Sequence, residues 1–91
     1  MSFYVYAIYN KVSDKIYIGQ TNNLERRLQE HNNQDLKVGG KYTSKYNGLW
    51  VIFYSREYDS RSGAMLKEKQ LKSSQGRIFL KKILNERGAP G

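Results

Sequence analysis

Two phenols, a guanidinium, an imidazole and a carboxylate stand out in this sequence for where they fall. In "KIYIGQTNNLERRLQEH", Lys15 to His31, strand-like sequence turns through polar residues into a helix. At roughly 100° per residue, Leu24 and Leu28 define that helix's apolar stripe. Arg27 and His31 fall on or beside the stripe, whereas Arg26 and Glu30 point away. Farther on, Ala64, Met65 and Leu71 set the apolar side of a second helix, and Glu68 falls among them. Tyr6 and Tyr17 sit on adjacent strands of one hairpin. Each residue alone has an ordinary reading. Arg27 can lay its stem on the core and send its head to solvent, and tyrosines pack strands. A carboxylate within an apolar stripe needs a partner, either a structural ion pair with Arg27 or Lys72, or a metal ion.

As a set, the five residues suit phosphodiester hydrolysis. A phosphate under attack builds negative charge, which Arg27 can neutralise through a forked, charge-assisted contact. Mg²⁺ commonly takes only one or two carboxylates and fills its shell with water and substrate phosphate, so Glu68 alone would be enough. A tyrosine beside a metal and a cation can have its phenol pKa lowered enough to take a proton from the attacking water.

These side chains need a frame. "FYVYAIYN" (Phe3–Asn10) is aromatic and β-branched and reads as a strand, "KVSD" as a turn, and "KIYIG" (Lys15–Gly19) as the returning strand. Alternation puts Tyr4, Tyr6 and Ile8 on one face of the first strand, and Lys15, Tyr17 and Gly19 on one face of the second. Asn22 and Glu25 are spaced as a capping box for a helix over 23–32. The polar segment 33–48 is a long connection with a short helical turn around Lys41–Lys45. "LWVIFYS" (Leu49–Ser55) is a continuous apolar run, expected to be a central strand buried on both faces. Asp59 or Ser60 caps a second helix over 61–72, Ser73–Gly76 breaks it, and a third amphipathic helix follows over 77–86. One domain over 1–87 and a loose tail over 88–91 account for the chain.

The composition narrows the partners. Sixteen Lys and Arg against eight Asp and Glu give a net charge of +8 on 91 residues, spread along the chain rather than held in a tail. A spread basic excess on a folded domain points to nucleic acid. Lys37, Lys41 and Lys45 recur every four residues with Tyr42 between them, which suits phosphate contact plus base stacking. Lys15 and Lys72 join them as nucleic-acid-binding residues. There is no cysteine and only one histidine, so disulfides and thiolate or His-rich zinc sites are excluded. No apolar run reaches the roughly 20 residues of a membrane span. The N-terminus lacks the regions of a signal peptide, and a cytoplasmic location is expected.

"YVYAIYN" followed by "KIYIGQTNNLERRLQEH" resembles the GIY-YIG nuclease domain. "GGKYTSKYNG" and "SGAMLKEKQLK" are similar to its small stand-alone members, and the likeness runs from about Phe3 to Leu84. It implies an α+β fold, a small three-stranded antiparallel sheet flanked by helices, and cleavage of DNA with Mg²⁺ or Mn²⁺. Carried over by position, Tyr6 is the general base and Tyr17 positions water and phosphate. Gly19 is the signature glycine, where a side chain would crowd the site. Arg27 contacts the scissile phosphate, His31 assists proton transfer or phosphate contact, and Glu68 holds the metal. The first signature half departs from Gly-Ile-Tyr, reading Tyr4-Val5-Tyr6. No DNA-binding module is appended, so target choice is expected to be weak or supplied by a protein partner or fused module. The DNA could be duplex, branched or single-stranded. Two other readings compete with the nuclease: a non-catalytic nucleic-acid-binding module on the same fold, and an interaction protein whose polar cluster is an internal ion-pair network.

Overall fold

Val5, Ala7 and Tyr9 alternate along the first strand with Tyr6 and Ile8, and both sets are buried. A strand apolar on both faces needs a layer on each side, and the rest of the chain supplies them. A computed structural model describes residues 2–32 and 49–86. Among them the order is β1 (Phe3–Asn10), β2 (Lys15–Thr21), α1 (Leu24–Asn32), β3 (Trp50–Tyr58), α2 (Arg61–Leu71) and α3 (Ser74–Glu86). The three strands form one antiparallel sheet in the order β2-β1-β3. This is the α+β architecture expected from the sequence.

The central strand is β1, not the apolar run at Leu49–Ser55. That run forms the edge strand β3, with Leu49 itself 66% exposed. Central position follows from pairing: β1 bonds to β2 through the hairpin and to β3 on its other side, with a register shift between Ala7 and Ile8. On one face, Val5, Ala7, Ile18 and Phe53 pack with Ala64 and Leu71 of α2 and Leu80 and Leu84 of α3. On the other, Tyr6, Ile8 and Trp50 pack with Tyr17, Leu24, Leu28 and Ile52. Leu24 and Leu28 therefore do face the sheet, as their spacing predicts. Met65 does not belong to the apolar side of α2; it is 54% exposed, and the buried positions there are Ala64 and Leu71, seven residues apart on one helical stripe.

Local signals set the boundaries. The β1–β2 turn closes when Asn10 Oδ1 accepts from Ser13 N at 3.1 Å, and Asp14 takes a left-handed φ of 56°, a region aspartate tolerates better than most residues. The cap of α1 is Asn23, not Asn22: Asn23 Oδ1 accepts from Arg26 N at 3.0 Å, and the expected capping box is not formed. Ser60 Oγ caps α2 through Gly63 N at 3.2 Å. Ser73 likewise caps α3 through Gly76 N at 3.2 Å, so α3 starts at Ser74 and the break after α2 is shorter than its polar residues imply. Among the described residues no helix is long and apolar enough to cross a membrane.

Candidate active site

The register of the hairpin builds the centre of the site. Tyr6 pairs with Gly19 and Ile8 with Tyr17, so the two phenols lie diagonally across one face. Their ring centroids are 6.4 Å apart in an edge-to-face arrangement. Gly19 leaves room for this: a Cβ there would lie 2.8 Å from Tyr6 Oη. The glycine that sequence reasoning placed in the signature is thus required by the phenol opposite it.

α1 brings two more groups. His31, 2% exposed, stands under both tyrosines, its ring centroid 4.9 Å from that of Tyr17. A buried hydrogen bond of 2.7 Å joins its Nε2 to Tyr6 Oη. The end of α1 is pinned: Asn32 Nδ2 donates to Trp50 O at 3.0 Å and Trp50 N donates to Asn32 Oδ1 at 2.7 Å. One turn earlier, Arg27 Nη1 donates to Glu30 Oε1 at 2.9 Å. Glu30 therefore does not simply point away from the site; it orients the guanidinium. The signal was present in the sequence, since residues three apart on a helix are neighbours.

Glu68 comes from α2, in the other layer, and lies close enough to Tyr6 for its charge to act on the phenol. Its carboxylate pairs with Lys72 Nζ at 2.7 Å, one turn along the same helix, and its side chain is only 20% exposed. Of the two ion-pair partners open to it, the fold uses Lys72, while Arg27 is engaged by Glu30.

The electrostatics differ from expectation at one point. Burial pushes the Tyr6 phenol up to about 12, assisted by the charges of Tyr17 and Glu68, and the hydrogen bond and charge of Arg27 only partly oppose it. In the free protein Tyr6 is a neutral hydrogen-bonding phenol, not one with a lowered pKa. For Arg27, burial works against the charge, but hydrogen bonds to Glu30 and Tyr6 outweigh it and raise its pKa.

Tyr6, Tyr17, Gly19, Arg27, His31 and Glu68 are thus brought together, with Lys72 beside them. Lys15 lies elsewhere, in a cleft against α3. Lys37, Lys41, Tyr42 and Lys45 fall outside the described residues. Among the described residues no group of three or more His, Asp or Glu could hold a metal ion. The donor set instead fits a hard cation that needs one carboxylate and keeps its waters, and Glu68 already draws a cationic group to itself.

Comparison with known proteins gives this cluster a context. A family model described as the GIY-YIG catalytic domain matches residues 2–82. A UPF0213 protein of Natronomonas pharaonis is 36% identical over 70 residues, covering 77% of this chain and 76% of its own. A UPF0213 protein of Syntrophus aciditrophicus is 41% identical over 70 residues, covering 76% and 75%. The solution NMR structure of the UPF0213 protein BH0048 from Bacillus halodurans superimposes with a TM-score of 0.52 at 25% identity, covering 99% of this chain and 89% of that one. GIY-YIG domains are nuclease domains that act on nucleic acids. With its signature strands paired around Gly19 and its tyrosines facing His31, the chain belongs to the GIY-YIG family.

Proposed function

We propose that the chain is a metal-dependent endonuclease that hydrolyses phosphodiester bonds in DNA. The observation that carries this reading is the buried 2.7 Å bond between Tyr6 Oη and His31 Nε2, set beside Arg27 and Glu68. A nucleophile-activating group held by a second base is the arrangement hydrolytic sites use. As water attacks phosphorus, Tyr6 Oη takes a proton from the water and passes its own to His31 Nε2. The phenol thus need not ionise in the free protein, where its pKa of about 12 forbids it at neutral pH. The new P–O bond forms as the bond to the leaving oxygen breaks; that oxygen keeps the bonding pair and takes a proton from solvent. Arg27, its charge secured by Glu30, meets the negative charge growing on the phosphate oxygens. Tyr17 fixes the His31 ring by edge contact and offers its hydroxyl to water or phosphate. Glu68 would hold Mg²⁺ or Mn²⁺, which when bound polarises the phosphate and lowers the pKa of its water.

The high pKa of Tyr6 favours a second reading, a nucleic-acid-binding module without catalysis. Plasmid nicking separates the two. Folded wild type is expected to nick supercoiled DNA with Mg²⁺ or Mn²⁺, with activity lost in EDTA, in Glu68→Ala and in Tyr6→Phe. Each variant is checked by circular dichroism. No cleavage of plasmid, branched or single-stranded DNA by folded wild type, together with salt-sensitive binding that survives Glu68→Ala, would establish the binding module instead. Cleavage that persists in Glu68→Ala would remove that residue from the metal site.

A further inference from the structure

Apolar burial alone does not place α1. Its stripe residues Leu24 and Leu28 are only partly buried, and the one fully buried residue of the helix is polar, His31. Apolar contact is also non-directional, so it leaves a nine-residue helix free to slide and roll slightly on the sheet. The bond between Tyr6 Oη and His31 Nε2 does not tolerate that freedom. It is 2.7 Å long, and such bonds are uncommon beyond about 3.2 Å.

A directional contact must therefore set the last turn, and the residue after His31 supplies one. Asn32 uses both ends of its amide on a single residue: Nδ2 donates to Trp50 O at 3.0 Å, and Oδ1 accepts from Trp50 N at 2.7 Å. A planar amide that offers a donor and an acceptor to one residue's backbone copies the pairing of a neighbouring strand. Two bonds fix the tilt of the helix end against β3 as well as its distance. Trp50 is 1% exposed, and its peptide groups would be costly to leave unpaired.

Trp50 is in turn tied to the other partner of the bond. It packs with Tyr6 and Ile8 in one buried cluster, and it pairs in register with Asn10 of β1, the strand that carries Tyr6. A closed circuit results: Tyr6 bonds to His31, Asn32 follows His31 in the chain and bonds to Trp50, and Trp50 packs back on Tyr6. One step of roughly 100° around the helix separates His31 from Asn32. One side chain reaches the phenol while the other grips the strand.

We propose that Asn32 is a positioning residue: its two-point grip on Trp50 holds His31 within bonding distance of Tyr6 and thereby sets the rate of phosphodiester hydrolysis. The effect on rate rests on the nuclease reading; the placement of His31 does not.

Two readouts test this. The chain has a single histidine, so heteronuclear NMR follows the ring nitrogens of His31 without overlap, and Tyr6→Phe supplies the spectrum of the broken bond. Asn32→Ala, kept well below its melting temperature, is expected to move the His31 resonances toward those of Tyr6→Phe. Its kcat for plasmid nicking with Mn²⁺ should fall by roughly 10²-fold, the effect of a misplacement near 1 Å, with KM little changed. Asn32→Asp keeps an acceptor for Trp50 N but turns a carboxylate oxygen to Trp50 O. It should move the resonances in the same direction, and it decides the question if Asn32→Ala does not fold. The control is Tyr9→Phe, which removes the 2.7 Å bond to Asp14 Oδ1 on the other face of β1. It should lower Tm and leave both the His31 resonances and kcat in place.

Wild-type resonances in a folded Asn32→Ala or Asn32→Asp protein would reduce Asn32 to a structural contact and overturn the proposal. Equal displacement by Tyr9→Phe would do the same, since any loss of stability would then disturb His31. An unchanged kcat beside displaced resonances would overturn the claim on rate. The two proposals fail separately. If wild type does not nick DNA while Asn32→Ala displaces His31, the nuclease falls and the placement stands; nicking by wild type with His31 unmoved in the variants does the reverse.

Discussion

A methyl group on Gly19 would place a carbon 2.8 Å from Tyr6 Oη and 3.0 Å from Cζ of the same ring. The phenol cannot swing freely, because it is 2% exposed and bonded to His31. Gly19→Ala is therefore expected to push Tyr6 off His31 and cost about 1–3 kcal/mol by overpacking, read by urea denaturation, with nicking lost in parallel. Unchanged stability and activity would mean that the ring yields and its position is not critical. Tyr6 also sets a pH dependence in the metal-free protein. Its pKa rises from 10.0 to about 12 on folding, so the folded state holds the phenol's proton more tightly than the unfolded chain. That stabilisation is complete below pH 10 and is lost as pH rises through about 12, a decline of roughly 3 kcal/mol. Denaturant melts in EDTA between these pH values should show the decline in wild type and a reduced one in Tyr6→Phe. Equal slopes would place the raised pKa elsewhere.

At the scale of elements, Gly76 decides how α2 and α3 meet. In an isolated helix alanine would be better than glycine by about 1 kcal/mol. Here an added Cβ would sit 2.3 Å from Gln70 O and 2.4 Å from Leu71 Cα, and both are backbone atoms that cannot rotate away. The clash outweighs the propensity: Gly76→Ala is expected to cost about 3 kcal/mol or more, lowering Tm by about 10–20 °C. A raised Tm would show that propensity wins and the helices part easily. This close approach was not legible in the sequence, where Ser73–Gly76 reads simply as a helix breaker. What was legible had a short period. Tyr6 and Ile8 share a face because strands alternate, and Arg27 and His31 flank the Leu24–Leu28 stripe because helices repeat. What was not legible depended on pairing between distant segments. Leu49–Ser55 carries the apolar run of a central strand, yet only the sheet order shows that β1 takes that place. The spacing on α2 put Glu68 on the buried stripe, but Lys72 and Arg27 were equally open as partners until α1 turned Arg27 to Glu30. The high pKa of Tyr6 was hidden for the same reason, since burial on both sides of β1 comes from layers far apart in the chain.

The molecule as a whole carries a net charge of +8 over 91 residues, and salt acts on that charge in two opposite ways. Within the fold, like charges repel, and compaction brings them closer than in the unfolded chain. Among the described residues the ion pairs that offset this repulsion are Arg26–Glu30, Arg27–Glu30 and Lys72–Glu68. Each joins residues three or four apart on one helix, an arrangement worth only a few tenths of a kcal/mol. Screening these pairs costs little, whereas screening the excess of cations relieves a repulsion summed over the whole surface, at a Debye length that shrinks from about 30 Å at 0.01 M to about 8 Å at 0.15 M. The Tm of the free protein should therefore rise over that range of sodium chloride. Affinity for a polynucleotide should fall over the same range, because each cation that meets a phosphate returns a condensed counterion to a saltier solution. A Tm that falls instead would mean that attractive pairs outweigh the repulsion. The excess positive charge would then be organised by the fold for its own stability, and binding nucleic acid would not be needed to explain why the chain carries it.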